Sequence, residues 1–205
     1  MTRAGRLLPR AFYLRPTLRV ARDLLGKILV HDAPDGRTSG RIVEVEAYRG
    51  PSDRAAHTRG GHRSARNESM WGVGGHAYVY FVYGMHHCLN VVTRDPEHPE
   101  AVLLRAAVPD EGIPLMRERR DLPAGPSWRL LRGPGSLCRA LGIDRRHDGT
   151  DLVRGPVRIL DAPSVPAHEV RRTPRIGVAY AGLDALRPWR LLVAHEPAVS
   201  GRRVP

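Results

Sequence analysis

The sequence predicts an α+β fold: a single domain built on a curved, mostly antiparallel β-sheet, with helices around it and one protruding β-hairpin. Three stretches carry this. Arg41 to Tyr48, RIVEVEAY, alternates Val43, Val45 and Ala47 against Glu44, Glu46 and Tyr48, the period of a strand with one apolar and one functional face. Tyr78 to Asn90, YVYFVYGMHHCLN, alternates on either side of Tyr83, Gly84 and Met85, which reads as a hairpin with those three residues near its tip. LRVARDLLGKIL places Leu18, Ala21, Leu24 and Leu25 at helical spacing. A chain of 205 residues can bury one sizeable core.

In chain order, residues 1–16 form a basic arm punctuated by Pro9 and Pro16, expected to be ordered only where it docks, and residues 17–205 form the domain. Thr17 is the expected N-cap of the first helix and Gly26 lies near its stop. Lys27 to His31 reads as a strand that the turn at Pro34 to Gly36 returns toward RIVEVEAY. Gly50 to Gly75 is a long loop. Six of the eleven aromatic residues lie between Tyr48 and Tyr83, so the loop is expected to be ordered over the Glu46 and Tyr48 face. AVLLRAAVP is a buried strand whose one charge, Arg105, needs a partner inside the fold, and Glu46 is the expected one. Asp110 to Arg120 reads as a short helix. GPGSLCRALGID opens another after Pro134, with N-terminal amides able to hold a phosphate. From Leu152 onward short strands are expected in DLVRGPVRIL, RIGVAY and PWRLLVA.

A formal charge of +12 and a pI near 11.0 point to a polyanion, with DNA, RNA and anionic membrane as candidates and plain surface charge as the alternative. No apolar run is long enough for a signal peptide or a membrane span, so an intracellular, cytoplasmic location is expected, at the nucleoid if the source is bacterial. Cys88 and Cys138 lie in no C-x-x-C setting and read as small buried hydrophobes. His57, His62, His76, His86 and His87 crowd one region without H-E-x-x-H or comparable spacing, so no metal is expected. Neither a G-x-G-x-x-G nor a Walker sequence calls for a nucleotide cofactor.

Glu46 and Tyr48, two residues apart on one strand face, stand roughly 7 Å apart, so a flat group stacked on the ring lies beside the carboxylate. A lone carboxylate beside an aromatic platform, kept ionised by an arginine, suits activation of water toward a cationic centre near a stacked ring. Glycosidic cleavage of a nucleobase produces such a centre. Glu44 and Glu46 do not read as a glycosidase pair, because neighbours on one face cannot flank the scissile bond. A buried structural ion pair of Glu46 and Arg105 is the competing reading, as strand packing is for Tyr48, Tyr78 and Tyr80 and a structural histidine for His57.

EVEAYRGPSDRAAHTRGGHRSARNESMW, AYVYFVYGMHHCLNVV, AVLLRAAVPDEG, GPGSLCRALGI and RIGVAYAG, in that order, resemble the methylpurine (alkyladenine) DNA glycosylase family from about Leu18 to Trp189. The resemblance implies base excision repair: a damaged purine is flipped from duplex DNA and its N-glycosidic bond is hydrolysed by water, without metal or cofactor, leaving an abasic site. It also implies roles by position. Glu46 is the general base, Arg105 positions the water, and Ile176 contributes a backbone carbonyl to it. Tyr48, His57 and Tyr80 wall the base pocket, and Asn90 disfavours the guanine amino group. Tyr83, with Met85 beside it, is the wedge that enters the minor groove. Arg63, Arg66 and Arg139 are the expected phosphate contacts. Ser136, His62 and His86 depart from the family pattern, as does AGLDAL around Leu183 and Asp184, which bears on DNA affinity and lesion range. A monomer is expected, and a non-catalytic nucleic-acid binder of the same fold is the alternative function.

Overall fold

The computed structural model describes residues 5–201, so the first four residues of the basic arm lie outside the described residues. Its organising element is β2 (Gly36–Tyr48), 13 residues long, which is flanked by three strands because its two halves take different partners along one edge. The first half pairs with β1 (Ile28–Ala33) through the expected tight turn, Ala33 opposite Gly36. The second half, at Glu44 to Glu46, pairs with β8 (Arg190–Val193). Along its other edge β2 runs against β5 (Glu100–Glu111) from Ser39 to Tyr48. β6 (Val157–Leu160) extends the sheet beyond β1, and β7 (Val170–Thr173) extends it beyond β8. β3 (Ala77–Val82) and β4 (His86–Thr93) form the hairpin, with β4 joined to β5. Every one of these pairings is antiparallel, and the result is a single α+β domain with a curled sheet.

Register shifts between β2 and β5 fall at Ser39/Gly40 and around Glu44. Such irregularities add local twist, and they help the sheet curl. Both faces of β2 are consequently covered: Val43, Glu44, Val45, Glu46 and Ala47 are all wholly buried. The face expected to be functional is therefore as closed to solvent as the apolar one.

Helices pack where their apolar spacing predicts. α1 (Arg10–Tyr13) buries Tyr13, so the described part of the arm docks on the domain. α2 (Thr17–Leu24) buries Thr17, Val20, Ala21 and Leu24 against β2 and β5. Val20 thus takes the place expected of Leu18. Thr17 opens the helix without capping it; its hydroxyl turns to Thr93 Oγ1 at 2.7 Å and to the Glu100 carboxylate. α3 (Ile113–Arg120) starts later than Asp110 because Pro109 to Glu111 still belong to β5. Gly112 then turns the chain with φ +77°, where a Cβ would stand 2.3 Å from the Arg37 carbonyl oxygen. α4 (Pro134–Leu141) has proline in its first turn and ends at left-handed Gly142, and it packs Leu137, Cys138, Ala140 and Leu141 toward β4 and β5. Cys88 and Cys138 are both buried free thiols, as expected.

RIGVAY is not a strand. Gly177 (φ +78°) and Gly182 (φ +60°) break the extended run, and Ala179–Leu186 forms 3-10 turns instead. The strand of that region is β7, which lies before it. Among the described residues no helix is long and apolar enough to cross a membrane.

Candidate active site

β2 and β5 bring three charges together at the irregular register: Glu44 and Glu46 on one strand, Arg105 on the other. Arg105 was expected to pair with Glu46, and it meets both carboxylates, Glu44 more closely. Its Nε donates to Glu44 Oε1 at 2.9 Å, while Nη1 stands 3.3 Å from Glu46 Oε2. Burial works against the guanidinium charge, but Glu46 and Glu44 outweigh it and raise the Arg105 pKa.

Sequence reasoning gave Glu44 no role. Its Oε1 accepts also from Arg190 Nε at 2.7 Å and Ser200 Oγ at 3.0 Å, and its Oε2 from the Ser200 N–H at 2.6 Å. Arg190 and Ser200 come from the C-terminal part of the chain, so no local pattern announces them. Glu44 is a closed structural hub. Glu46 makes fewer contacts, and each leads to the same place. Its Oε1 accepts from the Ile176 N–H at 2.8 Å and its Oε2 from the Tyr48 hydroxyl at 2.9 Å. The backbone N–H of Ile176, a different group from the carbonyl expected to meet the water, thus reaches the carboxylate. Burial raises the Glu46 pKa, with Glu44 adding to it, against the lowering by Arg105, the Ile176 N–H and Tyr48.

Tyr48, Arg105 and Ile176 all line a cavity of about 310 Å³, within the range of small-ligand sites. Glu46 lies one layer behind that wall. The cavity is also lined by His57, Tyr78, Tyr80, Asn90, Arg66 and Tyr83, so the structure gathers most of the residues singled out from sequence. Tyr80 and His57 meet edge to face with centroids 4.7 Å apart, and Tyr78 and Tyr80 lie 5.4 Å apart with planes tilted by 34°. His57 Nδ1 and the Tyr78 hydroxyl are hydrogen-bonded at 2.7 Å, which gives Tyr78 a part in the wall. The His57 pKa is pushed down to about 4, by burial first and by the Arg66 charge second, so its ring is neutral at pH 7. Asn90 Nδ2 donates to the Tyr78 carbonyl oxygen at 3.1 Å, which fixes the amide against β3.

The 50–75 loop covers the Tyr48 side as expected. Tyr48 packs against Ala55, Val178 and Ala181. A second buried pair, unforeseen from sequence, backs its ring. Arg175 grips Asp53 through two hydrogen bonds of 2.5 and 2.8 Å, and its Cζ lies 4.7 Å from the Tyr48 ring centroid. A guanidinium held so tightly fixes the plane of the ring.

At the hairpin tip Tyr83 is 82% exposed and Met85 69% exposed. Tyr83 (φ +54°) and Gly84 (φ +67°) both take the left-handed conformation of a tight hairpin turn. For a tyrosine this costs on the order of 1 kcal/mol. His86, beside the hairpin tip and opposite Val82, packs on the start of α4 so closely that a Cβ on Gly135 would meet its ring at 2.8 Å. The expected phosphate contacts divide. Arg63 is tied to Glu68, Nε donating at 2.9 Å, Arg66 stands at the cavity wall, and exposed Arg139 donates to the Arg119 carbonyl oxygen at 2.6 Å.

A family model described as methylpurine-DNA glycosylase matches residues 11–197. A relative from Methanocella arvoryzae is 50% identical over 96% of this chain and 96% of its own length. One from Streptomyces avermitilis is 47% identical over 96% and 92%, and one from Clostridium acetobutylicum 43% over 94% and 97%. All three are provisionally named 3-methyladenine DNA glycosylase.

Proposed function

The chain belongs to the methylpurine-DNA glycosylase family, and from that premise we propose that it hydrolyses the N-glycosidic bond of an alkylated or deaminated purine flipped out of duplex DNA. The observation that carries the reading is Glu46: a wholly buried carboxylate whose hydrogen-bond partners form the wall of a cavity lined by aromatic rings.

The flipped purine stacks among Tyr48, His57 and Tyr80, with Asn90 against its edge. Unstacking costs a few kcal/mol, least for a damaged or mispaired base, and Tyr83 entering the minor groove recovers part of it. A water held by Glu46 and Arg105, with the Ile176 carbonyl accepting a hydrogen bond from it, gives up one proton to the carboxylate. Its oxygen bonds to the sugar carbon that bore the base, and the base leaves with the electron pair of the glycosidic bond; a base that departs as an anion takes up a proton, and Glu46 gives up the one it received. Arg105 holds the water's side of the site, while the Ile176 N–H fixes the carboxylate. The raised pKa of Glu46 makes it a stronger base than an exposed carboxylate. The products are a free base and an abasic site.

Single-turnover assays on duplexes carrying hypoxanthine, ethenoadenine or a methylated purine test this reading. Release of at least one of these bases is expected. Tight, salt-sensitive binding with no release from any of them would make the chain a binder instead.

A further inference from the structure

Charge around the cavity is almost fully paired. Glu44 and Glu46 are matched by Arg105 and Arg190, Asp53 by Arg175, and Asp148 by Arg145 at 3.4 Å. Arg66 is different. Among the described residues it enters no ion pair; its one polar contact is Nη2 at 3.5 Å from the Phe81 carbonyl oxygen, and its Cζ lies 5.7 Å from the Tyr80 ring centroid. It is an unmatched cation on the wall that stacks the base.

We propose that Arg66 makes the cavity select by charge, favouring neutral damaged purines, deaminated or ring-bridged, over the cationic purines left by alkylation at N3 or N7. This deepens the glycosylase reading and rests on it. A cationic purine gains from an aromatic face because the ring quadrupole attracts positive charge. On Tyr80 that attraction is already shared with the Arg66 guanidinium, and the two cations repel. A neutral purine stacks on the same ring and meets no such penalty. Tyr48 also carries a guanidinium, but Asp53 offsets the charge of Arg175, so Arg66 is the group whose removal changes the balance. Burial first, and the nearby Arg66 charge second, lower the His57 pKa on the same wall. An arginine that served only the DNA backbone would act on all lesions alike.

The test is the ratio of single-turnover release rates, at saturating protein, from two duplexes that differ only in the lesion: 7-methylguanine, cationic, and hypoxanthine, neutral. Arg66→Gln is expected to raise the ratio of cationic to neutral release about fivefold, the equivalent of one exposed cation–π contact. Arg66→Lys, which keeps the charge, is expected to stay near the native ratio. An unchanged ratio in Arg66→Gln, with binding to both duplexes weakened equally, would overturn the proposal and make Arg66 a phosphate contact. Release of neither base by the native chain would overturn the glycosylase reading, and the charge selection with it.

Discussion

Glu44 and Glu46 stand two residues apart on one strand, both wholly buried and both in contact with Arg105, yet their surroundings differ. Around Glu44 every neighbour faces inward: two arginines and Ser200 close the carboxylate off with four hydrogen bonds. Around Glu46 the neighbours are the cavity wall. Burial and sign of charge therefore do not distinguish the two carboxylates. What separates them is whether the bonded partners lead to a space where a substrate fits.

The change expected to disturb both ends at once is Arg105→Met. It leaves two buried carboxylates short of their shared cation, and breaking a buried pair costs about 3–5 kcal/mol. Denaturant unfolding should show a loss of that order, and base release should fall as well. If stability were lost while release per folded molecule held, Arg105 would belong to the Glu44 side alone.

A pH series tests Glu46 on its own. Base catalysis requires ionised Glu46, so the single-turnover rate should climb as pH rises through its raised pKa and level off above it. Stability runs the other way. With its folded pKa above the unfolded one, Glu46 holds more protons in the folded chain between the two values, so its contribution falls as pH rises across that window. A rate flat across the acid range would remove Glu46 from the proton transfer.

Tyr83→Ala tests the exposed counterpart of this buried centre. It removes the proposed wedge but no buried contact, so release at limiting protein should drop by about tenfold with the melting temperature unchanged. Arg139→Ala should do least. If Arg139 meets a phosphate, binding weakens equally for all sequences and the dependence of log affinity on log salt becomes shallower by about one.

Much of the site was legible because it is local. The alternation of RIVEVEAY places Glu46 beside Tyr48, and the break at Tyr83 and Gly84 marks a hairpin, whatever the rest of the chain does. The family resemblance added His57, Asn90 and Ile176, which no spacing alone would join. The missing parts are long-range. Glu44 meets Arg190 and Ser200 across 146 and 156 residues, and Asp53 meets Arg175 across 122. No periodicity records such pairs. The missing strand at RIGVAY has a different, local cause: Gly177 takes a left-handed backbone that ends any strand there. The late start of α3 was similarly signalled by Gly112.

The most direct measurement compares Glu44→Gln and Glu46→Gln in one experiment, recording unfolding free energy and single-turnover base release from the same preparations. Glu46→Gln should stay folded, bind lesion DNA and lose release by at least about a hundredfold. Glu44→Gln should lose about 3 kcal/mol or more of stability, because Arg105 and Arg190 lose their shared anion, while its folded fraction releases base within a few-fold of the native rate. The reverse pattern, with Glu46→Gln active and Glu44→Gln stable but inactive, would contradict the assignment of chemistry to Glu46.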